Sequence, residues 1–151
     1  MLAREPESLE ILYRNFYRFS PSDEIRPTEG CYALPVFSQH QGHFSSHYSR
    51  TYIDQAVGVA GVPSLSPAQI RALDLLSELA DELCVEMALA PGDMQWLNNH
   101  VIYHGRTPFK DRHGQGAGRL LYRQWLSFRG TSRVSAQQAK VWGRAEWCLG
   151  S

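Results

Sequence analysis

The chain has no charge of one sign to spare: fifteen Lys and Arg balance fifteen Asp and Glu over 151 residues. That balance gives no electrostatic reason to expect a nucleic acid or an anionic membrane as partner. No apolar run approaches the roughly 18 residues that span a bilayer, so no membrane helix is expected. Met1-Leu2-Ala3-Arg4-Glu5-Pro6 has no apolar signal core, which predicts a cytoplasmic protein. Cysteine is scarce: Cys31, Cys84 and Cys148 stand far apart, with no Cys-x-x-Cys pair. Reduced thiols used as small hydrophobes are the expectation. There is no internal repeat and no low-complexity tract. What is present, 43% hydrophobic and 20% charged residues, is the composition of one folded domain with a moderate core.

Leu9, Leu12, Tyr13, Phe16 and Tyr17 recur at helical spacing and predict a helix over 6–19, ended by Ser20-Pro21-Ser22-Asp23. A strand pair is expected next: 31–37, a turn in 39–42, and a return over 44–52, with 48–52 as a half-buried strand. Pro35 makes the first of these an edge or bulged strand, since it has no N–H to donate. Ser66, Pro67 and Gln69 form a capping box with proline at the first helical position. From there Ile70, Leu73, Leu76, Leu79, Ala80 and Leu83 make one apolar stripe. Val85, Met87 and Leu89 alternate as in a strand, Pro91-Gly92-Asp93 turns the chain, and 101–103 is a short apolar strand. Residues 105–118 form a glycine-rich loop, 119–128 a closing strand, and 129–151 a tail. The predicted class is α+β, mainly β: a partial double-stranded β-helix, or jelly roll, with flanking helices, its domain covering 1–128.

His104 ends the apolar 101–103 run, and Gly105 allows backbone to approach just after it. Arg119 and Arg123, four apart on a strand, would face the same way, roughly 13 Å apart at about 3.3 Å per residue. Two guanidiniums turned into a barrel need anions, and a dicarboxylate matches their forked geometry; the alternative is that they reach the rim or pair with Asp93 or Asp111. An imidazole beside such arginines is one part of a non-haem iron site, which uses two histidines and a carboxylate. Alone, a histidine at a strand end is usually a structural one. Asn98 and Asn99 either orient His104 or form a turn. His40, His43 and His47 are an alternative zinc cluster, weakened by the lack of a nearby cysteine and by strand spacings that do not converge.

The pieces Leu34-Pro35-Val36-Phe37-Ser38, Tyr48-Ser49-Arg50-Thr51-Tyr52-Ile53, Pro91-Gly92-Asp93-Met94, Asn98-Asn99 with His104-Gly105-Arg106-Thr107-Pro108-Phe109, and Arg119-Leu120-Leu121-Tyr122-Arg123-Gln124-Trp125 occur in an order that resembles the TauD/TfdA family. That family comprises Fe(II)- and 2-oxoglutarate-dependent dioxygenases, here the γ-butyrobetaine hydroxylase-like and clavaminate synthase-like branch. The resemblance implies His104 as the distal histidine ligand of iron and Arg119 as the partner of the far carboxylate of 2-oxoglutarate. It places Arg123 near the metal-side carboxylate or an anionic substrate group. It also implies hydroxylation of a small organic acid or amine, coupled to oxoacid decarboxylation.

The family's other ligands come from a His-x-Asp or His-x-Glu pair. His40, His43, His47, His100, His104 and His113 are followed two positions on by Gly, Ser, Ser, Ile, Arg and Gln, so the pair is absent. The resemblance therefore implies a C-terminal portion, complete only with a missing N-terminal half. The alternative is a non-catalytic, degenerate half-barrel that dimerises or docks on a partner through its open seam.

Overall fold

The protein is described by a computed structural model at residues 1, 3–20, 30–107, 120–124 and 126. Chain order is α1 (Pro6–Leu12), β1 (Asn15–Ser20), β2 (Gly30–Pro35), β3 (Phe37–His40), β4 (His43–Ser46), α2 (Arg50–Ala56) and α3 (Pro67–Glu82). The strands form two antiparallel pairs, β1 with β2 and β3 with β4. The mixed α+β character stands. Among the described residues, however, helical residues outnumber strand residues, and the two strand pairs do not close a barrel.

The expected first helix is half the length read from the sequence. It ends at Leu12, and Asn15–Ser20 is a strand. Aromatic residues at 13, 16 and 17 satisfy a helical period locally, but burial follows a period of two: Phe16 and Arg18 lie inside and Tyr17 outside. Pairing of Phe16 with Leu34 and Arg18 with Tyr32 outweighs local preference, as sheet context often does. Pro35 ends β2 opposite Asn15, and the chain changes sheets at Val36. The Val36 N–H donates to the Leu12 carbonyl at 3.0 Å, and the Val36 carbonyl accepts from His47 N–H at 2.8 Å.

In the β3–β4 hairpin His40 faces His43, leaving Gln41 and Gly42 as a two-residue turn. Both have positive φ, 50° and 79°, the backbone whose twist matches that of the flanking strands. The return strand stops at Ser46, well before the predicted 52. Ser49 caps α2 instead, its hydroxyl accepting from Tyr52 N–H at 3.4 Å, and Arg50 bonds Asp54 one turn on. A cap with an i, i+4 ion pair is a helix start, and these outweigh the β-type residues Tyr48, Thr51 and Tyr52.

The capping box of α3 is complete. Ser66 Oγ accepts from Gln69 N–H at 3.2 Å, and Gln69 Oε1 accepts from Ser66 N–H at 3.0 Å. Its buried face is Ala72, Leu73, Leu75 and Leu76, rotated from the expected stripe. Ile70 and Leu83 lie outside, 40% and 74% exposed, because they sit at the helix ends, past the packed surface. Leu12, Phe16, Val36, Phe37, Ile53, Ala72, Leu73 and Leu76 form the core. Ion pairs Arg71–Glu5 and Arg4–Glu82 join α3 to the first segment.

After α3 the described chain has turns but neither helix nor strand. Pro91 and Gly92, with Gly92 at φ 94°, form the expected turn. Asp93 N–H donates to the Ala90 carbonyl at 3.1 Å, and the Asp93 carboxylate accepts from Ala90 N–H at 2.7 Å. Strands expected at 85–89 and 101–103 are not formed, and 120–124 and 126 carry no strand either. Apolar alternation makes a strand only where a neighbouring edge supplies ladder bonds. The tail 129–151 and most of the 105–118 loop lie outside the described residues.

Candidate functional site

The segment 98–104 is built on a turn. The Asn98 carbonyl accepts from the N–H groups of Val101 at 3.1 Å and Ile102 at 3.0 Å, and its side-chain oxygen accepts from His100 N–H at 3.1 Å. Asn98 is thus a turn-former. Two further bonds fasten the segment to β4. Ser46 N–H donates to the His100 carbonyl at 2.7 Å, and the Ser46 and Tyr103 hydroxyls are hydrogen-bonded. The Tyr103 ring lies against Tyr48, centroids 5.6 Å apart, and Tyr48 in turn reaches Ser77 of α3 at 3.4 Å.

This anchoring sets the electrostatics. Burial pushes the Tyr103 phenol up to about 12, opposed by the bond to Ser46; burial also lowers the His100 imidazole below its ordinary value. In both, desolvation disfavours the charged form. His104, next to Tyr103, is exposed.

Arg18 supports the same region from below. It is fully buried, and its guanidinium donates to the carbonyls of Leu34, of Phe16 and Pro35 at 3.3 Å each, and of His47 at 2.8 Å. Arg18 falls inside the helix expected over 6–19, so it is not among the candidate residues read from the sequence. The β-period of 16–19 was the signal that would have marked it as inward-facing.

Of the sequence-predicted site residues, His104 and Arg123 are both exposed, and Arg119 lies outside the described residues, as does Asp111. Asp93 is engaged with the Ala90 amide. His40 and His43 flank the hairpin turn, and His47 N–H bonds Val36. Among the described residues no group of three or more His, Cys, Asp or Glu is placed to hold a metal, so His40, His43 and His47 make no zinc site. An iron centre fits these residues only in part: His104 is an accessible imidazole donor, but the described residues do not complete a ligand set around it. A small, mainly apolar cleft lies between β1, α2 and the entry to α3, lined by Phe16, Ile53, Ala56, Val62 and Leu65 among others. It contains no acid, base or cation suited to an oxoacid. No helix among the described residues is long and apolar enough to cross a membrane.

Comparison with known proteins gives the family of the chain. The sequence profile of the family described as "Taurine catabolism dioxygenase TauD, TfdA family" matches residues 1–125, and the chain belongs to that family. It is 28% identical over 132 residues to FR-33289 synthase of Streptomyces rubellomurinus, a match covering 84% of this chain and 39% of the relative. It is 27% identical over 129 residues to the taurine hydroxylase-like protein SAT17 of Stachybotrys chartarum, covering 82% and 32%. The match thus spans less than half the length of either relative.

Proposed function

We propose that this member of the TauD/TfdA family supplies one arm of an Fe(II)- and 2-oxoglutarate-dependent dioxygenase site, acting on a small organic acid or amine in the cytoplasm. His104 is the imidazole donor, Arg119 binds the far carboxylate of 2-oxoglutarate, and Arg123 meets the metal-side carboxylate or an anionic substrate group. The reading is carried by the family match over 1–125, which includes all three residues. An exposed imidazole at 104 is compatible with it, and a relative named as taurine hydroxylase-like agrees with a small acidic or amino substrate. The remaining iron ligands come from outside the His-x-Asp and His-x-Glu patterns, which this chain lacks, or from a second polypeptide segment that carries such a pair.

Anaerobic calorimetric titration of 2-oxoglutarate, with and without Fe(II), tests the assignment. The expected result is oxoacid binding strengthened by Fe(II), with the Fe(II)-dependent part lost in His104→Ala. In Arg119→Ala the affinity falls about 10-fold or more, the scale of a forked carboxylate bond. Wild-type protein that binds no oxoacid in the presence of Fe(II), even with the His-x-Asp-bearing half of a relative added, overturns it.

A second reading is a non-catalytic half-barrel that dimerises or binds another protein. It is supported by Leu83, Val85, Met87, Met94 and Trp96, between 62% and 83% exposed within residues 83–96; large apolar side chains left in water offer surface to a partner. Light scattering separates the two, since a concentration-independent monomer removes the grounds for self-association.

A further inference from the structure

We infer that Ser46 is the positioning residue for the segment that carries His104, clamping it to β4 through the His100 carbonyl and the Tyr103 hydroxyl. Ser46 is 2% exposed, and its N–H and its hydroxyl are both engaged with this segment. Its N–H donates to His100 O at 2.7 Å. Its Oγ lies 3.0 Å from the Val36 carbonyl, to which it donates, and it is also bonded to Tyr103.

A hydroxyl has one proton. With that proton directed at Val36, which can only accept, the bond to Tyr103 has one polarity: the phenol donates and Ser46 Oγ accepts. The result is a relay, Tyr103 O–H to Ser46 O–H to Val36 C=O. Ser46 itself is fixed. It pairs with Phe37 at the end of β4, and the next residue, His47, is held by Val36 through its N–H and by Arg18 through its carbonyl.

The clamp matters because of what the segment lacks. Residues 98–104 have neither helix nor strand, and the Asn98 turn bonds are local to it. Ser46 fixes the backbone at His100 and the side chain at Tyr103, one residue before His104. A metal-binding imidazole has to be held to about 0.5 Å by its supporting shell, and this contact supplies the hold immediately upstream. The inference rests on the reading of His104 as an iron ligand, and its test is chosen to fail separately from that reading.

Hydrogen exchange followed by mass spectrometry, on the full chain and on Ser46→Ala, Tyr103→Phe and the double variant, reads the clamp without metal. Both single variants are expected to speed exchange of the 98–104 amides about 10-fold or more, with protection in α1 and α3 unchanged. The double variant should be no worse than Ser46→Ala, because the bond that Tyr103→Phe breaks is already lost in Ser46→Ala. Calorimetry with Fe(II) and 2-oxoglutarate should then show binding weakened at least about fivefold in each. Tyr103→Phe keeps the ring against Tyr48 and guards against a folding defect in Ser46→Ala. Unchanged exchange overturns the proposal, as does faster exchange with undiminished oxoacid binding. If the wild-type chain binds no oxoacid, the iron-ligand reading falls, and exchange alone decides whether Ser46 holds the segment.

Discussion

Arg18 donates from Nη2 to the carbonyl oxygen of His47 at 2.8 Å, across 29 positions of sequence. This one bond ties β1, in the first strand pair, to the chain leaving β4 in the second. The other guanidinium contacts, to Phe16, Leu34 and Pro35, make Arg18 a bracket between the β1–β2 pair and the chain leaving β4.

Replacing Arg18 by Met keeps an unbranched apolar stem but removes every donor. Buried carbonyls left without partners cost about 1–3 kcal/mol, so Arg18→Met should lower the unfolding free energy by that amount, read as a lower midpoint of urea unfolding. Lys should restore only part of it, because an ammonium cannot fork over several carbonyls. An unchanged midpoint would show the bracket to be dispensable.

Acid should loosen the protein through His100. Its folded-state pKa is depressed by burial below the ordinary 6.5, so its stabilising contribution is fully present above pH 6.5. That contribution is lost as pH falls through the lowered folded value, where the unfolded chain takes up the proton more readily. The melting temperature should therefore drop between pH 7 and pH 5, and His100→Gln should flatten part of that dependence. Identical profiles for the two proteins count against the assignment.

Tyr103 makes the opposite prediction at high pH. Its pKa is raised from 10.0 to about 12 by burial, so the stabilisation it brings is whole below pH 10 and disappears as pH rises through about 12. An alkaline ultraviolet titration of wild type against Tyr103→Phe should show one phenol missing from the late-titrating group.

The hairpin offers a backbone test. Gly42 sits at φ 79° with nothing within 4 Å of a built Cβ, so Gly42→Ala carries conformational strain and no clash. A cost of about 1 kcal/mol is expected in chemical denaturation. Gln41→Asn, at φ 50°, should be neutral or stabilising, because Asn tolerates the left-handed region better than Gln.

Removing the α3 cap by Ser66→Ala should cost about 1 kcal/mol, since the Gln69 amide loses its acceptor. A change much below that would mean water replaces the hydroxyl at this exposed helix end.

Some features were legible in the residues because they are local. The α3 capping box needs only Ser66, Pro67 and Gln69, and the 90–93 turn only Pro91 and Gly92. Family membership was legible too, in the ordered run from Leu34 to Arg123, because motif order survives without any knowledge of packing. Residues 13–19 and 48–52 were misread for one reason: aromatic and β-branched side chains satisfy helical and extended periods equally over so short a stretch. What made 15–20 a strand was the edge offered by β2, and what made 50–56 a helix was the Ser49 cap with the Arg50–Asp54 pair. The residues at 101–103 have strand composition but remain irregular, since hydrogen-bond partners for a ladder must come from elsewhere in space. The sequence alone determined that an imidazole stands at 104 with two arginines downstream. Tertiary packing alone brought Ser46 to His100 and Tyr103 and Arg18 to His47, because a buried hydroxyl and a buried guanidinium go wherever carbonyls await a donor.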